Sequence, residues 1–552
     1  MPDENTKLFN RALMRLSRRS EKVDPERLVK TFVNVGPLFD LLSIVDHQIV
    51  FGRRGTGKTH ALQYLVETVR ANNDIGSYSD LSSLGSSGGI YSDHEIPLAE
   101  RATRLLVDAL LDIQENLFET FVDRAEEFDL SQTGPLLDAL IEAVTTVRVI
   151  GTVEQESGEK ATLNKKTSIG GGAEVSGISL KGSLSSSLAE DYSVETTGRR
   201  KAIGVEKYVI HFGAVRRVLE QIAGIVFPRK IWIILDEWSS VPLELQPYLA
   251  DLLRRSIFPI RNITVKIAAI EFRTRLQLQT SPGDYIGIEL GADASADVNL
   301  DDFMVFDNDQ DRTRAFFREL FHKHLMASDL IAGTPEAECS PEQMITTAFT
   351  QATAFDELVR AAEGVPRDAI HIASLSAQYA QSDKISVPYV RKAAKNWYQT
   401  GKESAVQSRA KAMSLLHWIV DKVIGERRAR AFMLKSNVRH PLIEDLFDAR
   451  VLHVLKRGVS THDEPGTRYD AYKLDYGCYI DLVSTSRSPQ GLFEVVPAGE
   501  EAGFVEVPKD DYRSIRRAIL DLAEFDRVDM NRENLVKIDT GNKQIPTEHE
   551  AG

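Results

Sequence analysis

One segment, residues 52–59, constrains this chain more than any other; it reads Gly-Arg-Arg-Gly-Thr-Gly-Lys-Thr. It follows the apolar run 48–51 and leads directly into residues 61–69, whose apolar positions have helical spacing. This order predicts a strand, a phosphate-binding loop and a helix. A glycine-rich turn is the alternative interpretation, and it leaves the lysine unexplained.

The residue types of this loop suit a bound nucleoside triphosphate. Its glycines allow backbone N–H groups to surround phosphate oxygens, and the start of a helix favours the same anion. Lys58 is expected to reach the β- and γ-oxygens, and the Thr59 hydroxyl to ligate Mg²⁺. We therefore predict ATP and Mg²⁺ as cofactors. The predicted binding residues are Gly52, Gly55, Thr56, Gly57, Lys58, Thr59 and His60.

Two acidic residues, Asp236 and Glu237, follow the apolar run 231–235. Such a run is typical of a strand buried in a parallel sheet. Asp236 is placed to hold the Mg²⁺ shell, and Glu237 to orient or deprotonate an attacking water. Because ligands bind at the carboxyl ends of parallel strands, we expect Lys58, Asp236 and Glu271 to converge. The acidic pair predicts ATP hydrolysis.

Strand-like and helix-like segments alternate over the first 326 residues. Predicted strands are 48–51, 75–81, 231–235, 263–270 and 302–306, and predicted helices are 98–117, 136–149, 212–226, 243–257 and 310–326. This alternation predicts an α/β fold with a parallel, doubly wound sheet.

Residues 151–205 interrupt that pattern. Between 167 and 188, 12 of 22 residues are Gly or Ser, yet Ile178, Leu180, Leu184 and Leu188 have even spacing. The composition favours a flexible surface loop, whereas the spacing favours an inserted β-hairpin.

Composition excludes several classes of protein. The net charge of −14 excludes general attraction to nucleic acid, and two cysteines are too few for a disulfide framework. No window is apolar enough for a membrane span, and residues 1–22 are unlike a signal peptide, so we expect a cytoplasmic protein. Residues 401–487 differ, with 15 basic against 11 acidic residues.

The loop and the acidic pair together resemble the AAA+ ATPases, specifically replication initiators of the origin-recognition and cell-division-control type. The resemblance covers about residues 25–400. Segment 363–370, Glu-Gly-Val-Pro-Arg-Asp-Ala-Ile, is similar to the sensor 2 motif of the AAA+ helical lid. The resemblance implies that Arg367 contacts the γ-phosphate, and that the protein forms a homo-oligomer.

Two catalytic positions depart from that family pattern or stay open. The sensor 1 position usually carries Asn, Ser or Thr, whereas the nearest residue here is Glu271. A carboxylate there would repel phosphate unless it is protonated or paired. No arginine finger is assigned, and the candidates are Arg254, Arg255, Arg273 and Arg275.

Initiators of this type continue into a winged helix, and residues 403–487 have a compatible order of elements. Predicted helices at 405–424 and 441–449 alternate with strands at 431–434, 451–455 and 469–483. The predicted phosphate contacts are Arg427, Arg428, Arg430, Lys435, Arg439, Lys456, Arg457 and Arg468. Winged helices also dock proteins, so DNA and a protein partner both remain as expectations.

These observations divide the chain into seven predicted segments. They are an N-terminal helix (1–24), an AAA+ core (25–326) containing the 151–205 insertion, a helical lid (327–402), a winged-helix-like domain (403–487), an extension with a last helix at 509–522 (488–528) and a disordered tail (529–552).

Three functions fit these segments. The first is an ATPase switch that loads onto DNA, catalysed by Glu237 together with Lys58 and Arg367. The second is a signalling or anti-phage defence switch with slow turnover and a protein partner. The third is a DNA-binding regulator that retains ATP, against which Glu237 argues.

Overall fold

The computed structural model describes residues 4–17, 23–34, 36–84, 89, 91–145, 147–154, 160–167, 192–196, 200–208, 210–303, 309–426, 429–460, 466–483 and 518–527. The chain forms two compact units. The sheet unit is Arg19–Phe303, and the helical unit combines Met1–Arg18 with Met304–Gly552. No helix within the described ranges is long and apolar enough to cross a membrane.

Fourteen named strands occur in the described residues. They are β1 Gln48–Phe51, β2 Ile75–Asp80, β3 Val147–Glu154, β4 Lys160–Thr167, β5 Tyr192–Thr196, β6 Arg200–Tyr208, β7 Ile231–Asp236, β8 Ile263–Ala269, β9 Gln277–Ser281, β10 Asp284–Gly287, β11 Ser295–Asn299, β12 Ala431–Lys435, β13 Leu452–Ser460 and β14 Arg468–Leu474.

The named α-helices of the described residues flank the strands of the sheet unit and make up most of the helical unit. They are α1 Glu4–Met14, α2 Pro25–Thr31, α3 Leu38–Leu42, α4 Lys58–Ala71, α5 Leu98–Asp123, α6 Leu130–Val144, α7 Phe212–Val226, α8 Gln246–Leu252, α9 Leu300–Phe303, α10 Gln310–Met326, α11 Pro341–Ala348, α12 Ala352–Ala361, α13 Pro366–Ala380, α14 Val387–Trp397, α15 Ser404–Gln407, α16 Ala410–Val420, α17 Pro441–Asp448 and α18 Tyr476–Val483.

A five-stranded parallel sheet in the order β11-β1-β8-β7-β2 forms the centre of the sheet unit. Every residue of β7 and β8 is buried, as expected for apolar strands covered on both faces. Helices α5, α6, α7 and α8 contribute to the same hydrophobic core. The predicted α/β fold with a parallel sheet is therefore confirmed, and all strand ends that precede the predicted site residues lie on one edge.

A separate antiparallel sheet, in the order β4-β3-β6-β5, occupies the region predicted as an insertion. Strands β3 and β6 pair along their whole length, from Val147 opposite Tyr208 to Glu154 opposite Lys201. The apolar positions 178–188, on which the hairpin prediction rested, lie outside the described residues. The predicted tail at 529–552 also lies outside them.

The helical unit contains α1, the helices α10 to α18 and a three-stranded antiparallel sheet, β12-β14-β13. Helix α1 joins this unit through buried contacts, among them Thr6, whose hydroxyl donates to the Thr347 carbonyl at 3.0 Å. The predicted boundaries at 24 and 326 therefore do not match the compact units, because α1 and α10 both pack with the later helices. We call residues 404–483 and 518–527 the C-terminal subdomain.

Four segment predictions differ from the structure. Among the described residues the last strand of the large sheet is β11, which pairs with β1. Asp302 and Phe303 of the predicted strand 302–306 lie in α9, and residues 304–306 lie outside the described ones. Helix α6 begins at Leu130, where Asp129 caps it, and ends before β3. Residues 476–483 are helical, since Asp475 accepts the N–H groups of Gly477 and Cys478.

The fourth difference concerns the end of the predicted last helix, 509–522, of which residues 509–517 lie outside the described ones. Ile519 forms a bridge with Met433 of β12. The Met433 N–H donates to Ala518, and Leu520 donates back to Met433. This short segment therefore extends the edge of the three-stranded sheet.

Candidate nucleotide site

The loop between β1 and α4 has the backbone that its glycines allow. Gly55 and Gly57 have φ values of 90° and 95°, in the left-handed region that favours glycine. At Gly52 a Cβ atom would lie 2.6 Å from the Thr56 hydroxyl and 3.3 Å from the Leu300 Cβ. The loop is therefore a tight cradle, and its glycines fit a bound phosphate chain.

Lys58 is the first residue of α4 and is almost fully buried. Its Nζ donates to the carbonyls of Gly52 at 2.7 Å and Arg53 at 3.1 Å. These bonds hold the ammonium group across the loop. The ammonium group therefore lies at the loop, where the sequence predicts that the phosphates bind.

Arg53 fixes the first half of the loop. Its N–H donates to Asp301 Oδ2 at 2.9 Å, and its Nε donates to Asp301 Oδ1 at 2.7 Å. Both side chains are buried, at 5% and 8% exposure. A two-point bond of this kind fixes geometry as well as charge, so the structure assigns Arg53 to the support of the loop.

The two predicted acids lie at the carboxyl end of β7, beside β8 and β2. Asp236 is 1% exposed, and its Oδ2 accepts from the Tyr78 hydroxyl at 2.8 Å. Its Oδ1 accepts the N–H of Glu237 at 2.7 Å. Asp236 is therefore held at both oxygens, in an orientation that suits a carboxylate supporting Mg²⁺.

Glu237 has a left-handed backbone, with a φ of 52°. Such a conformation is uncommon outside glycine and costs about 1–3 kcal/mol. Burial raises the pKa of Glu237 above its ordinary value, and the charges of Asp236 and Asp80 act in the same direction. Lys58 and Arg54 act in the opposite direction. Glu237 therefore lies within electrostatic reach of Lys58 and Arg54 in the loop.

Glu271 begins a helical turn, Glu271–Arg273, after the end of β8. The strand β8 lies between β1 and β7, so this turn is at the same sheet edge as Lys58 and Asp236. The Ile270 N–H donates to the Ser239 hydroxyl at 2.7 Å. The structure thus brings the predicted sensor 1 segment to the site and ties it to the segment that follows Glu237.

A buried glutamine joins the same two segments. Gln246 is 0% exposed, and its Nε2 donates to the carbonyls of Val241 at 2.9 Å and Arg273 at 3.1 Å. Its Oε1 accepts from the Arg275 N–H at 2.7 Å. Gln246 therefore fixes the loop after β8 against the loop after β7.

The imidazole of His60 contacts the segment before the loop. Its Nε2 is 3.0 Å from the Leu28 carbonyl, and its ring packs edge-on against Phe32. Burial lowers the pKa of the imidazole, which the hydrogen bond with Leu28 opposes. The imidazole therefore joins α4 to α2, and the predicted part of His60 in nucleotide binding stays a prediction.

Two arginine-finger candidates are engaged within the sheet unit. Arg254 and Arg255 both pair with Asp251, at 2.7 and 3.3 Å, and Arg254 also lies 4.7 Å from the ring of Tyr285. Arg273 is half-buried and Arg275 is exposed. These contacts do not identify any of the four residues as an arginine finger.

Arg367 lies in the first turn of α13, directly after Pro366, and is half-buried. Proline at the first helical position agrees with the predicted helix start. This residue belongs to the helical unit. Its predicted contact with the γ-phosphate stays a prediction.

The predicted DNA-binding residues separate into three groups. Arg427 and Arg428 lie outside the described residues. Arg430 is 6% exposed, pairs with Glu363 and donates to the Leu474 carbonyl, so we remove it from the phosphate contacts. The others lie on the surface of the C-terminal subdomain: Lys435, Arg439, Lys456 and Arg468 are exposed, and Arg457 is half-buried.

Two of these surface residues share one end of the three-stranded sheet. Lys435 pairs with Tyr469, next to Arg468, and the Ser436 N–H donates to the Arg468 carbonyl. Asp470 lies in the same place and accepts from Ser436 and Gly458. The basic surface therefore contains one acid.

Sequence reasoning missed three residues that support the site, namely Tyr78, Asp301 and Gln246. Tyr78 lies two residues before the end of β2, and the register of β2 with β7 places it near Asp236. That signal becomes visible only when the strand order is known. Asp301 and Gln246 carry no motif, since many acids and amides follow strands or begin helices.

Comparison with known proteins places these features in a family. A family model described as ORC-CDC6-like matches residues 16–343. The structure is similar to that of the Aeropyrum pernix Orc1 protein in complex with DNA, with 11% sequence identity, 82% of this chain and 95% of that chain covered, and a TM-score of 0.27. A TM-score this low supports no conclusion about the fold or function of this chain. A search of curated proteins gives no match.

The family match includes the nucleotide loop, the acidic pair and the whole five-stranded sheet. It spans more than half of the 552 residues. The AAA+ resemblance inferred from the motifs is thereby confirmed. The chain belongs to the ORC-CDC6-like family.

Proposed function

We propose that this protein is an ATPase that works as a nucleotide-driven switch and engages DNA through its C-terminal subdomain. The observation that carries the proposal is the convergence of Lys58, Asp236 and Glu237 on one edge of the parallel sheet. Burial raises the pKa of Glu237, the charge of Asp236 raises it further and the charge of Lys58 lowers it, so the three groups lie within electrostatic reach of one another. Anion-binding loop, metal-supporting acid and candidate base are the parts that phosphoryl transfer requires.

Each residue has a separate task in the proposed reaction. The loop N–H groups and Lys58 bind the phosphates, and Glu237 orients the attacking water and accepts its proton at a carboxylate oxygen. Thr59 and Asp236 would hold Mg²⁺, which neutralises charge on the β- and γ-phosphates when bound. Arg367 meets the γ-phosphate and distinguishes ATP from ADP.

The decisive experiment is Glu237→Gln in the full-length chain. We expect hydrolysis to fall by roughly 10²–10⁴-fold, because a positioned general base contributes about that factor. ATP affinity should stay within about twofold, since the amide keeps the size of the side chain. Glu220→Gln is the matched control, because Glu220 is an exposed acid in an i,i+4 pair with Arg216. Normal hydrolysis by the Glu237 variant would contradict the mechanism.

DNA binding is tested at the basic surface. Lys456→Gln and Arg468→Gln should each weaken binding and lower the slope of log affinity against log salt by about 0.9, the value for one lost phosphate contact. Lys384→Gln is the control, because Lys384 is an exposed lysine on the same unit that bonds the Thr346 carbonyl. Unchanged slopes for both subdomain variants would remove DNA from the proposal.

A second function has one observation in its favour. Glu271 places a carboxylate beside the site, where the family usually has a neutral polar residue, and this favours slow turnover. In that case ATP acts as a conformational ligand in a signalling or defence switch with a protein partner. ATP that co-purifies without hydrolysis, together with unchanged turnover on adding DNA, supports this second function.

Homo-oligomer formation is part of the proposal, because AAA+ sites usually form between subunits. Measuring particle mass with ATP, with ADP and with duplex DNA tests it directly. A mass that stays at one chain, 61.6 kDa, under all three conditions would contradict it.

A further inference from the structure

Two buried acids flank Arg367 in the sequence, and each contacts two cations. Glu363 lies just before α13, and Asp368 lies in its first turn. Glu363 pairs with Arg430 and, at 2.5 Å, with Lys473. The exposure of both carboxylates is 0%. Buried ion pairs therefore anchor the chain before and after Arg367.

Asp368 has a similar arrangement. Its oxygens lie 3.0 Å from Lys402 Nζ and 3.1 Å from an Arg450 guanidinium nitrogen. Burial alone would raise the pKa of Asp368, but the charges of Lys402 and Arg450 hold it below its ordinary value. Asp368 is thus ionised at neutral pH although it is fully buried.

The cations come from the C-terminal subdomain or from the turn that leads into it. Arg430 and Lys473 belong to or precede strands of the three-stranded sheet, and Arg450 precedes β13. Lys402 also pairs with Asp475 at 2.6 Å, and Asp475 caps α18. The start of α13 is therefore bound to the sheet and a helix of the C-terminal subdomain.

A third acid repeats the connection from α12. Glu357 is 6% exposed and accepts from the Tyr476 hydroxyl at 2.5 Å. It also pairs with Arg391 at 2.8 Å. The helix before the sensor segment and the helix that carries it are therefore both tied to the residues that follow β14.

Stability alone does not account for this network. Buried ion pairs are costly to desolvate, and apolar residues of similar volume often stabilise a fold as well or better. What the pairs supply is direction, because each acid is held between two cations at fixed places in the fold. The backbone turns sharply at the same place, since Glu363 and Gly364, three and two residues before Pro366, have φ values of 51° and 75°.

From this geometry we infer that Glu363 and Asp368 are positioning residues for Arg367. Cations of the C-terminal subdomain hold both acids, so the subdomain sets the direction of the arginine that meets the γ-phosphate. Displacement of the subdomain would then alter the response to ATP without altering the response to ADP. The inference rests on the proposed role of Arg367.

The test compares ATP and ADP affinities of the full-length chain. Arg367→Ala should weaken ATP binding by about tenfold or more, the value of one charge-assisted hydrogen bond, and leave ADP binding unchanged. Glu363→Gln and Asp368→Asn should each weaken ATP binding by roughly three- to tenfold, because a displaced Arg367 keeps only part of that hydrogen bond. Combining Glu363→Gln with Arg367→Ala should add nothing to the loss from Arg367→Ala alone.

The outcomes separate the two proposals. An unchanged ATP-to-ADP ratio in Arg367→Ala would overturn the role of Arg367 and the inference with it. A changed ratio in Arg367→Ala, with full additivity in the double variant, would overturn only the positioning role. Non-additivity supports it.

Matched variants guard against loss of folding. Lys473→Arg keeps a cation beside Glu363 and should keep the ATP-to-ADP ratio, whereas Lys473→Met should lower it as Glu363→Gln does. Leu140→Ala removes a fully buried side chain of α6, in the sheet unit, and should lower the melting temperature from a place outside the C-terminal subdomain. If Leu140→Ala shifts the ratio equally, general destabilisation explains the effect and the inference is wrong.

Discussion

The nucleotide loop of the sheet unit and the sensor segment of the helical unit both bury charged groups, and they satisfy them differently. Lys58 bonds carbonyls that lie five and six residues before it. Glu363 pairs with Arg430, which is 67 residues away. Lys58 of the loop thus uses backbone groups of its own segment, whereas the acids of the sensor segment use distant side chains of opposite charge. Arg53 of the loop is intermediate, because its buried guanidinium pairs with the distant Asp301.

This difference distinguishes the candidate binding site at the loop from a structural junction, by which we mean Glu363, Asp368 and the cations that pair with them. At the loop edge, burial raises the pKa of Glu237, the charges of Asp236 and Asp80 add to this effect, and those of Lys58 and Arg54 oppose it. At the junction, burial would raise the pKa of Asp368, but the charges of Lys402 and Arg450 lower it. The acids at the loop edge thus keep an electrostatic cost that a bound cation such as Mg²⁺ can relieve, whereas cations of the protein itself offset that cost at the junction.

The largest effect is expected at the junction, from Lys402→Met. This change leaves Asp368 and Asp475 buried with one cation fewer, and removal of one partner of a buried pair costs about 3–5 kcal/mol. Faster hydrogen exchange in peptides of β12 and β14 measures the loss. Arg318→Gln is the control, because its pair with Glu342 is exposed and should contribute less than about 1 kcal/mol. Equal effects of the two changes would contradict the comparison.

The loop is tested by Gly52→Ala. The added methyl group would lie 2.6 Å from the Thr56 hydroxyl, which is bonded to the Arg53 carbonyl. Overpacking of this kind costs about 1–3 kcal/mol, so ATP and ADP should both bind roughly tenfold more weakly. Isothermal titration measures both affinities. Gly213→Ala has no atom within 4 Å of the new Cβ and should bind normally. A change confined to ATP would argue against a cradle.

A smaller effect is expected from Tyr78→Phe. The change removes the hydroxyl that donates to Asp236 Oδ2, a bond of about 1 kcal/mol. The Mg²⁺ concentration for half-maximal nucleotide binding should rise about fivefold, while binding without Mg²⁺ is unchanged. Tyr285→Phe, which loses a long, exposed contact with Glu289 and no contact with the acidic pair, is the control. If Tyr78→Phe leaves the Mg²⁺ dependence unaltered, Tyr78 does not support the metal site.

The smallest effect concerns stability and pH at Glu237. Its folded-state pKa is raised, so its contribution is fully present below the unfolded pKa and is lost as pH rises through the folded value. Glu237→Gln does not titrate and should therefore raise the melting temperature at neutral pH by roughly 1–3 °C. The gain should shrink towards pH 4. Scanning calorimetry from pH 4 to 8 checks this, and a gain that grows on acidification would reverse the argument.

The sheet unit was predictable because its signals are local. The helix α7 and the strand β1 begin and end where the apolar pattern predicts, and β7 ends at the predicted acids. Two of the errors arose where a cap decided the boundary. Asp129 starts α6 early, and Asp475 turns the end of a predicted strand into α18.

The site was only partly predictable for the same reason. Lys58 and Asp236 carry recognisable motifs, because the loop and the strand end impose a fixed spacing. Tyr78, Asp301 and Gln246 reach the site through strand order and loop contacts, and no spacing in the sequence encodes those. Arg430 shows the reverse error, since its charge favoured a surface role and its burial excludes one.

The sequence by itself determined the nucleotide loop, the acidic pair and the parallel α/β core, because each depends on neighbouring residues and on the geometry of one strand or helix. Only the tertiary structure decided which acid meets which cation around Arg367. An ion pair depends on distance in space, and a charged residue carries no information about a partner 67 positions away. The nucleotide loop could therefore be predicted from the sequence, whereas the ion pairs of the junction became known only from the folded structure.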